Sequence, residues 1–220
     1  QGGFTVAKEM PFLGVEGGTA TFVDIDGDQY VDIFITGRDQ NLNRVAKLYK
    51  NEGAGIFEEV QNTSFMGVDR SATAFADIDG DQDQDVLITG KSANGSPVSI
   101  LYVNDGSGKF SRSTSTNFVA VESSAIAFTD IDGDRDQDVF LSGQTEDGSR
   151  IAKLYVNDGS GIFEELAYPN FEGVDFGSVA FSDVDGDEDQ DLLISGHSQS
   201  ERPVTQLFIN DGFGTFSVIT

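Results

Sequence analysis

Asp77-Ile78-Asp79-Gly80-Asp81-Gln82-Asp83-Gln84-Asp85 is the stretch on which the reading of this chain turns. It puts aspartates at places 1, 3, 5, 7 and 9 of a nine-residue loop with a glycine at place 4. So many carboxylates in one turn repel each other unless a cation neutralises them. The stretch recurs as DIDGDQYVD from Asp24, DIDGDRDQD from Asp130 and DVDGDEDQD from Asp183, each start 53 residues after the one before. Four units of that length would fill 212 of the 220 residues.

The period reaches well beyond the acidic loop. Phe4, Phe57, Phe110, Phe163 and Phe216 fall in register, as do Phe12, Phe65, Phe118 and Phe171, and again Phe22, Phe75, Phe128 and Phe181. Aromatic residues recurring at one phase read as the packing between neighbouring units. Gly37, Gly90, Gly143 and Gly196 close one segment, and Asn51, Asn104, Asn157 and Asn210 each open a turn two residues before a glycine.

Within a unit, short apolar runs alternate with turn signals. In the second unit Ala72–Phe75 enters the acidic loop, Val86–Thr89 leaves it, Ile100–Val103 ends at a glycine-bearing turn, and a fourth strand starts at Phe110. No stretch sustains a 3.6-residue apolar stripe, so helix is not expected. The expected fold class is all-β, a β-propeller of four-stranded antiparallel blades with four 53-residue repeats, because repeats of this size with four strands pack radially. The units are read as 18–60, 71–113, 124–166 and 177–220, with 1–17 a leading strand and connector, all within one propeller or half-propeller unit.

The candidate metal ligands are Asp24, Asp26, Asp28, Tyr30 and Asp32 in the first loop and Asp77, Asp79, Asp81, Asp83 and Asp85 in the second. The third offers Asp130, Asp132, Asp134, Asp136 and Asp138, and the fourth Asp183, Asp185, Asp187, Asp189 and Asp191. Place 7 varies between Tyr30 and an aspartate, so its main-chain carbonyl is the expected donor. Calcium accepts six to eight oxygens in a flexible shell, whereas magnesium demands stricter octahedral order, so about four calcium ions, one per repeat, are expected. Glycine at place 4 lets the backbone turn beside the ion. An EF-hand is rejected: it needs glycine at place 6 and glutamate at place 12, where this chain has Ile35, Ile88, Leu141 and Ile194.

Thirty-eight acidic residues against 13 lysines and arginines give a formal charge of −25, which opposes nucleic acid and anionic membrane partners. No run approaches the length of a membrane helix, so no membrane insertion is expected. With no cysteine there are no disulfides, and bound ions are the expected staples of the fold. The start at Gln1 lacks a signal-like segment and is read as that of a mature or excerpted chain.

The Asp-x-Asp-Gly-Asp-x-x-x-Asp loop between two strands, the Ala-Phe before it and the LYVNDGSGxF segments at 101–110 and 154–163 resemble the FG-GAP or VCBS-type repeats of integrin α-subunit propellers and secreted bacterial proteins. The resemblance covers essentially the whole chain. It implies calcium-binding blades that serve adhesion, ligand binding or sugar recognition, in an extracellular or cell-surface setting. Such propellers close with about seven blades, so four leave three alternatives open: blades outside this chain, a second chain completing the ring as a homo-oligomer, or a compact four-bladed ring.

The expected function is a non-catalytic, calcium-stabilised adhesion or scaffold module whose protein or glycan ligand the sequence does not name. A carbohydrate-binding propeller is the alternative, followed by an accessory propeller of a secreted hydrolase or lyase. Tyr49, Tyr102 and Tyr155 recur, with Phe208 in the fourth place, and read as core. His197 falls where the other units have Arg38, Lys91 and Gln144, and nothing near it in sequence suggests a catalytic group. The variable stretches 38–44, 91–97, 144–150 and 197–203 are the expected partner-binding rim.

Overall fold

The structure, a computed structural model, describes Gly3, residues 10–167 and residues 171–219. The leading segment Phe4-Thr5-Val6 lies outside the described residues. Of the connector, Glu16 makes a single antiparallel bridge to Arg38.

All regular structure among the described residues is strand. The first unit holds β1 (Ala20–Val23), β2 (Asp32–Arg38), β3 (Arg44–Asn51) and β4 (Phe57–Glu59). The second holds β5 (Val68–Ala76), β6 (Asp85–Ser92), β7 (Pro97–Asn104) and β8 (Phe110–Arg112). The third holds β9 (Glu122–Thr129), β10 (Asp138–Gln144), β11 (Arg150–Asn157) and β12 (Phe163–Glu165). The fourth holds β13 (Val174–Ser182), β14 (Asp191–Ser198), β15 (Pro203–Asn210) and β16 (Phe216–Val218).

In every unit the four strands pair antiparallel in chain order. A bridge between Val45 and Val68 joins the first two units into one hydrogen-bonded sheet. The acidic loop is the turn between first and second strands, and the variable stretches are the turns between second and third.

The first strands of the second and fourth units begin at Val68 and Val174, three residues before the expected starts at 71 and 177. Register shifts lie between Asp69 and Ala72 and between Asp175 and Ser178. At the shifts Arg70 and Phe176 sit at φ 48°, and Ser123 in the third unit at φ 51°. A bulge lets pairing continue past an unpaired residue, an event that apolar periodicity does not signal.

The units stack face to face, with β5 against β9 and β9 against β13. Each interface is built alike. Ile25, Phe34 and Leu48 of the first unit meet Val86, Ile88 and Tyr102 of the second. Ile78, Leu87 and Leu101 meet Val139, Leu141 and Tyr155, and Ile131, Phe140 and Leu154 meet Leu192, Ile194 and Phe208. Second strands such as β6 are therefore buried on both faces, which is why they read as continuous apolar runs instead of alternating ones.

The recurring phenylalanines do the packing expected of them. Phe12, Phe65, Phe118 and Phe171, carried by the connectors, sit edge-on to Tyr49, Tyr102, Tyr155 and Phe208 at 4.9–5.2 Å between ring centres. Edge-to-face pairs of this kind add about 0.5–1.5 kcal/mol beyond their burial. The three tyrosines are buried, and their hydroxyls accept main-chain N–H bonds from Leu13, Met66 and Val119. They are core residues. Phe22 is the exception: its counterparts Phe75 and Phe181 lie against Phe34 and Phe140 of the preceding unit, while Phe22 is 73% exposed.

Candidate metal centres

Each acidic loop is shaped by its own carboxylates before any ion is considered. At place 1, Asp77 accepts the N–H of Gly80 at 2.8 Å on one oxygen and that of Gln82 at 2.9 Å on the other, and Asp24, Asp130 and Asp183 do the same in their loops. At place 5, Asp28, Asp81, Asp134 and Asp187 each accept the N–H of place 7 at 2.8–3.1 Å. These side-chain turns are the local bonds for which aspartate is favoured in loops.

The backbone follows. Gly27, Gly80, Gly133 and Gly186 take φ between 70° and 87°, as glycine at place 4 led one to expect. Place 6 is left-handed as well, at φ 70–76°, although it holds Gln29, Gln82, Arg135 and Glu188. For a non-glycine residue that conformation costs about 1–2 kcal/mol, so the surrounding bonds must hold it there.

Place 9 is the anchor. Asp85 is 1% exposed; one oxygen accepts the N–H of Ile78 at 3.2 Å and the other that of Asn104 at 2.8 Å. Asp32, Asp138 and Asp191 repeat both bonds. The residue thus ties the loop to the end of the third strand while its oxygens face the loop's interior. Without an ion the charge is poorly tolerated. Burial pushes Asp85 up to about 6 and Asp138 up to about 7, against the pull of their two backbone bonds. Asp79 and Asp132 at place 3 are also raised, by burial first and the neighbouring carboxylates second.

In each loop, places 1, 3 and 9 bring one carboxylate oxygen apiece within 4.8 Å of one another: Asp24, Asp26 and Asp32; Asp77, Asp79 and Asp85; Asp130, Asp132 and Asp138; Asp183, Asp185 and Asp191. Oδ1 of Asp26 and Oδ1 of Asp79 are buried there with no hydrogen-bond partner. A buried carboxylate oxygen left without a donor is costly, and a hard cation is the partner its chemistry fits. These four clusters can hold metal ions. The place-5 carboxylates fall outside the triads.

The place-7 side chains go elsewhere. A Cβ built on Gly106 would lie 2.4 Å from Oδ2 of Asp83, and Gly159 and Gly212 stand in the same relation to Asp136 and Asp189. The Asp83 carboxylate therefore covers the turn between third and fourth strands, and in the first unit the Tyr30 ring covers Gly53. Variation at place 7 is tolerated because that side chain packs on a glycine. Only its main-chain carbonyl is left as a candidate donor.

Two features were not read from the sequence. The first is a bond between units: Asn104 Nδ2 donates to the carbonyl of Ile25 at 2.8 Å, Asn157 to Ile78 at 2.7 Å and Asn210 to Ile131 at 2.8 Å. Each asparagine holds place 2 of the preceding unit's loop. The four-fold register of asparagines was visible, but a link spanning 79 residues is not a turn signal. The second is a buried acid at the opposite end of the units. Asp69, Glu122 and Asp175 share a register and pair with Arg44 at 2.6 Å, Lys91 at 3.2 Å and Arg150 at 2.8 Å. Bases at or beside the variable turns are thereby committed to internal ion pairs, and His197 is exposed beside them.

A family model described as FG-GAP-like repeat matches residues 24–88, 77–141 and 130–194, each match running from one acidic loop into the strand beyond the next. No protein of curated function matches the chain. Among solved structures, the chain is similar to an exo-β-1,3-galactanase from Phanerochaete chrysosporium in complex with β-1,3-galactotriose, at 11% identity and a TM-score of 0.48, over 86% of this chain and 46% of that one. It spans less than half of that enzyme's chain, and a likeness this distant carries no argument about fold or function.

Proposed function

The chain belongs to the FG-GAP-like repeat family, and on that premise we propose that it is a non-catalytic, calcium-stapled β-propeller module for extracellular adhesion or scaffolding. The carrying observation is the convergence, in all four loops, of three aspartate oxygens within 4.8 Å. Calcium would be held by places 1, 3 and 9, with main-chain carbonyl and water oxygens completing a shell of six to eight. The ion would neutralise carboxylates that the fold otherwise buries at a cost, so its binding free energy becomes folding free energy. Four ions would reduce the formal charge from −25 to −17. Extracellular calcium is millimolar, the range in which loosely built oxygen sites fill.

The propeller reading is supported by the way consecutive units stack through the same set of positions, first strand beside first strand. Further blades, from the same polypeptide or from a second copy of this chain, would pack on the faces that carry Phe22 at one end and Leu193 at the other. The adhesion reading is supported by a rigid acidic scaffold that presents variable turns on one rim.

The test is a thermal melt and a solution mass of the chain in millimolar calcium and in excess chelator. A large fall in melting temperature on chelation is expected, and an unchanged melt would overturn the structural role of the ion. A blank glycan array in calcium is expected of an adhesion scaffold, and a reproducible sugar hit would replace it with a lectin.

A further inference from the structure

We propose that the first loop carries its own cation: the Lys50 ammonium neutralises part of the charge that calcium neutralises in the other three, so this loop binds calcium most weakly. The inference rests on the calcium reading above and divides its four sites into two kinds.

Lys50 lies on β3 one residue before Asn51, at the register held by Val103, Val156 and Ile209 in the other units. Its Nζ forms an ion pair with Asp26 Oδ2 and lies 3.7 Å from Asp28 Oδ2. Among the described residues, no lysine, arginine or histidine nitrogen lies within 4.0 Å of an acid in the other three loops. The ammonium thus reaches places 3 and 5 of one loop only.

The first loop is also the one with the fewest acids. It has four aspartates, with Tyr30 where the others have a fifth, so with Lys50 its formal charge is −4 + 1 = −3. The second loop carries −5, the third −5 + 1 = −4 with Arg135, and the fourth −5 − 1 = −6 with Glu188. Affinity of an oxygen-ligand site follows its ligand charge, and a fixed positive charge a few ångströms from a divalent ion opposes it. Asp26 Oδ1 remains buried and unpartnered beside the ammonium, so the loop keeps capacity for an ion.

The substitution has a second effect. A loop with a covalently attached cation stays partly neutralised when calcium is scarce. The first unit is therefore the one whose loop order depends least on the ion.

The experiment is calorimetric titration of the calcium-free chain with calcium, on the parent and on Lys50→Val. The parent is expected to take three ions tightly and a fourth about tenfold more weakly or worse. Lys50→Val is expected to tighten the weak site about tenfold, leaving the other three unchanged. Val103→Lys gives a reciprocal readout that does not depend on the first variant's folding, and it is expected to cut the tight ions from three to two. Four equal sites in the parent, or a weak site indifferent to Lys50→Val together with three tight sites in Val103→Lys, would overturn this inference and leave the calcium reading standing. No ion bound by any of the three proteins would overturn both.

Discussion

Ile78 and Val184 occupy the same place in the second and fourth loops, and they live in different surroundings. Ile78 is 1% exposed, its carbonyl is held by Asn157, and its side chain reaches under Gly161 of the next unit. Val184 is 53% exposed, with no unit packed over it among the described residues. Leu87 and Leu193 repeat the contrast at 0% and 42%. The residues are similar and the local loop bonds are the same, so the difference comes from the neighbour. A repeat of this kind owes much of its stability to the next repeat, and an end unit resembles an inner one in sequence without sharing its energetics.

Removing calcium should blur that contrast most. At a free calcium concentration 100 times its dissociation constant, each proposed ion would stabilise the fold by about 2.7 kcal/mol, so three or four together would contribute about 8–11 kcal/mol. With about 2–4 °C per kcal/mol for a chain of this size, chelation is expected to lower the melting temperature by on the order of 20 °C or more. A melt that moves by only a few degrees would mean that the stacked interfaces alone sustain all four units.

Paired truncations sharpen the comparison directly. Ile78→Ala is expected to cost about 2–5 kcal/mol in urea unfolding, as buried isoleucines do. Val184→Ala, at the same place in an uncovered loop, is expected to cost about 0.5 kcal/mol or less. Equal costs would mean that the fourth loop is covered in solution by something outside the described residues.

The pH dependence of the chelated chain tests the buried anchors. Asp85 at about 6 and Asp138 at about 7 hold their protons more tightly folded than unfolded. Such carboxyls contribute stability below the unfolded value near 3.8, and it is lost as pH rises through the folded value. In chelator the melting temperature should therefore be higher at about pH 5 than at about pH 8, by a few degrees. In calcium the trend should reverse, since the ion requires the deprotonated form. A chelated melt that rises with pH would show that these carboxylates carry charge at little cost.

The smallest effect concerns the bonds between units. Asn157→Ala removes the bond to Ile78 and should cost about 1–2 kcal/mol, because it leaves a buried carbonyl without its donor. Asn51→Ala loses a bond to Val31 of its own unit at an exposed site and should cost about half as much or less.

Much of this was legible because the determinants are local. A nine-residue loop of aspartates announces its own turn, glycine at place 4 announces positive φ, and apolar runs of four announce strands buried on both faces. The acidic clusters were readable for the same reason, since places 1, 3 and 9 are close in chain as well as in space, but the sequence did not separate them from places 5 and 7. What escaped depends on distance along the chain. The asparagine that reaches back 79 residues, Lys50 bending from β3 into the loop, and Asp83 turning away to cover Gly106 are set by strand pairing and stacking. The left-handed backbone at Gln82 also escaped, because no glycine marks it and it is bonded to the Asp77 carboxylate instead.

The asparagine link also sets an order of events during synthesis. The loop beginning at Asp24 keeps an unclamped Ile25 carbonyl until Asn104 has been made, and the second and third loops wait the same 79 residues for their clamps. At about 5–20 residues per second that interval is about 4–16 s, long compared with the formation of a hairpin. Each loop would therefore form early and lock late, with the newest stretch of chain finishing the one before it. Chains truncated just before and just after Asn104 would reveal this as a step in protection of the first loop from proteolysis, and the absence of a step would show that the loop locks by itself.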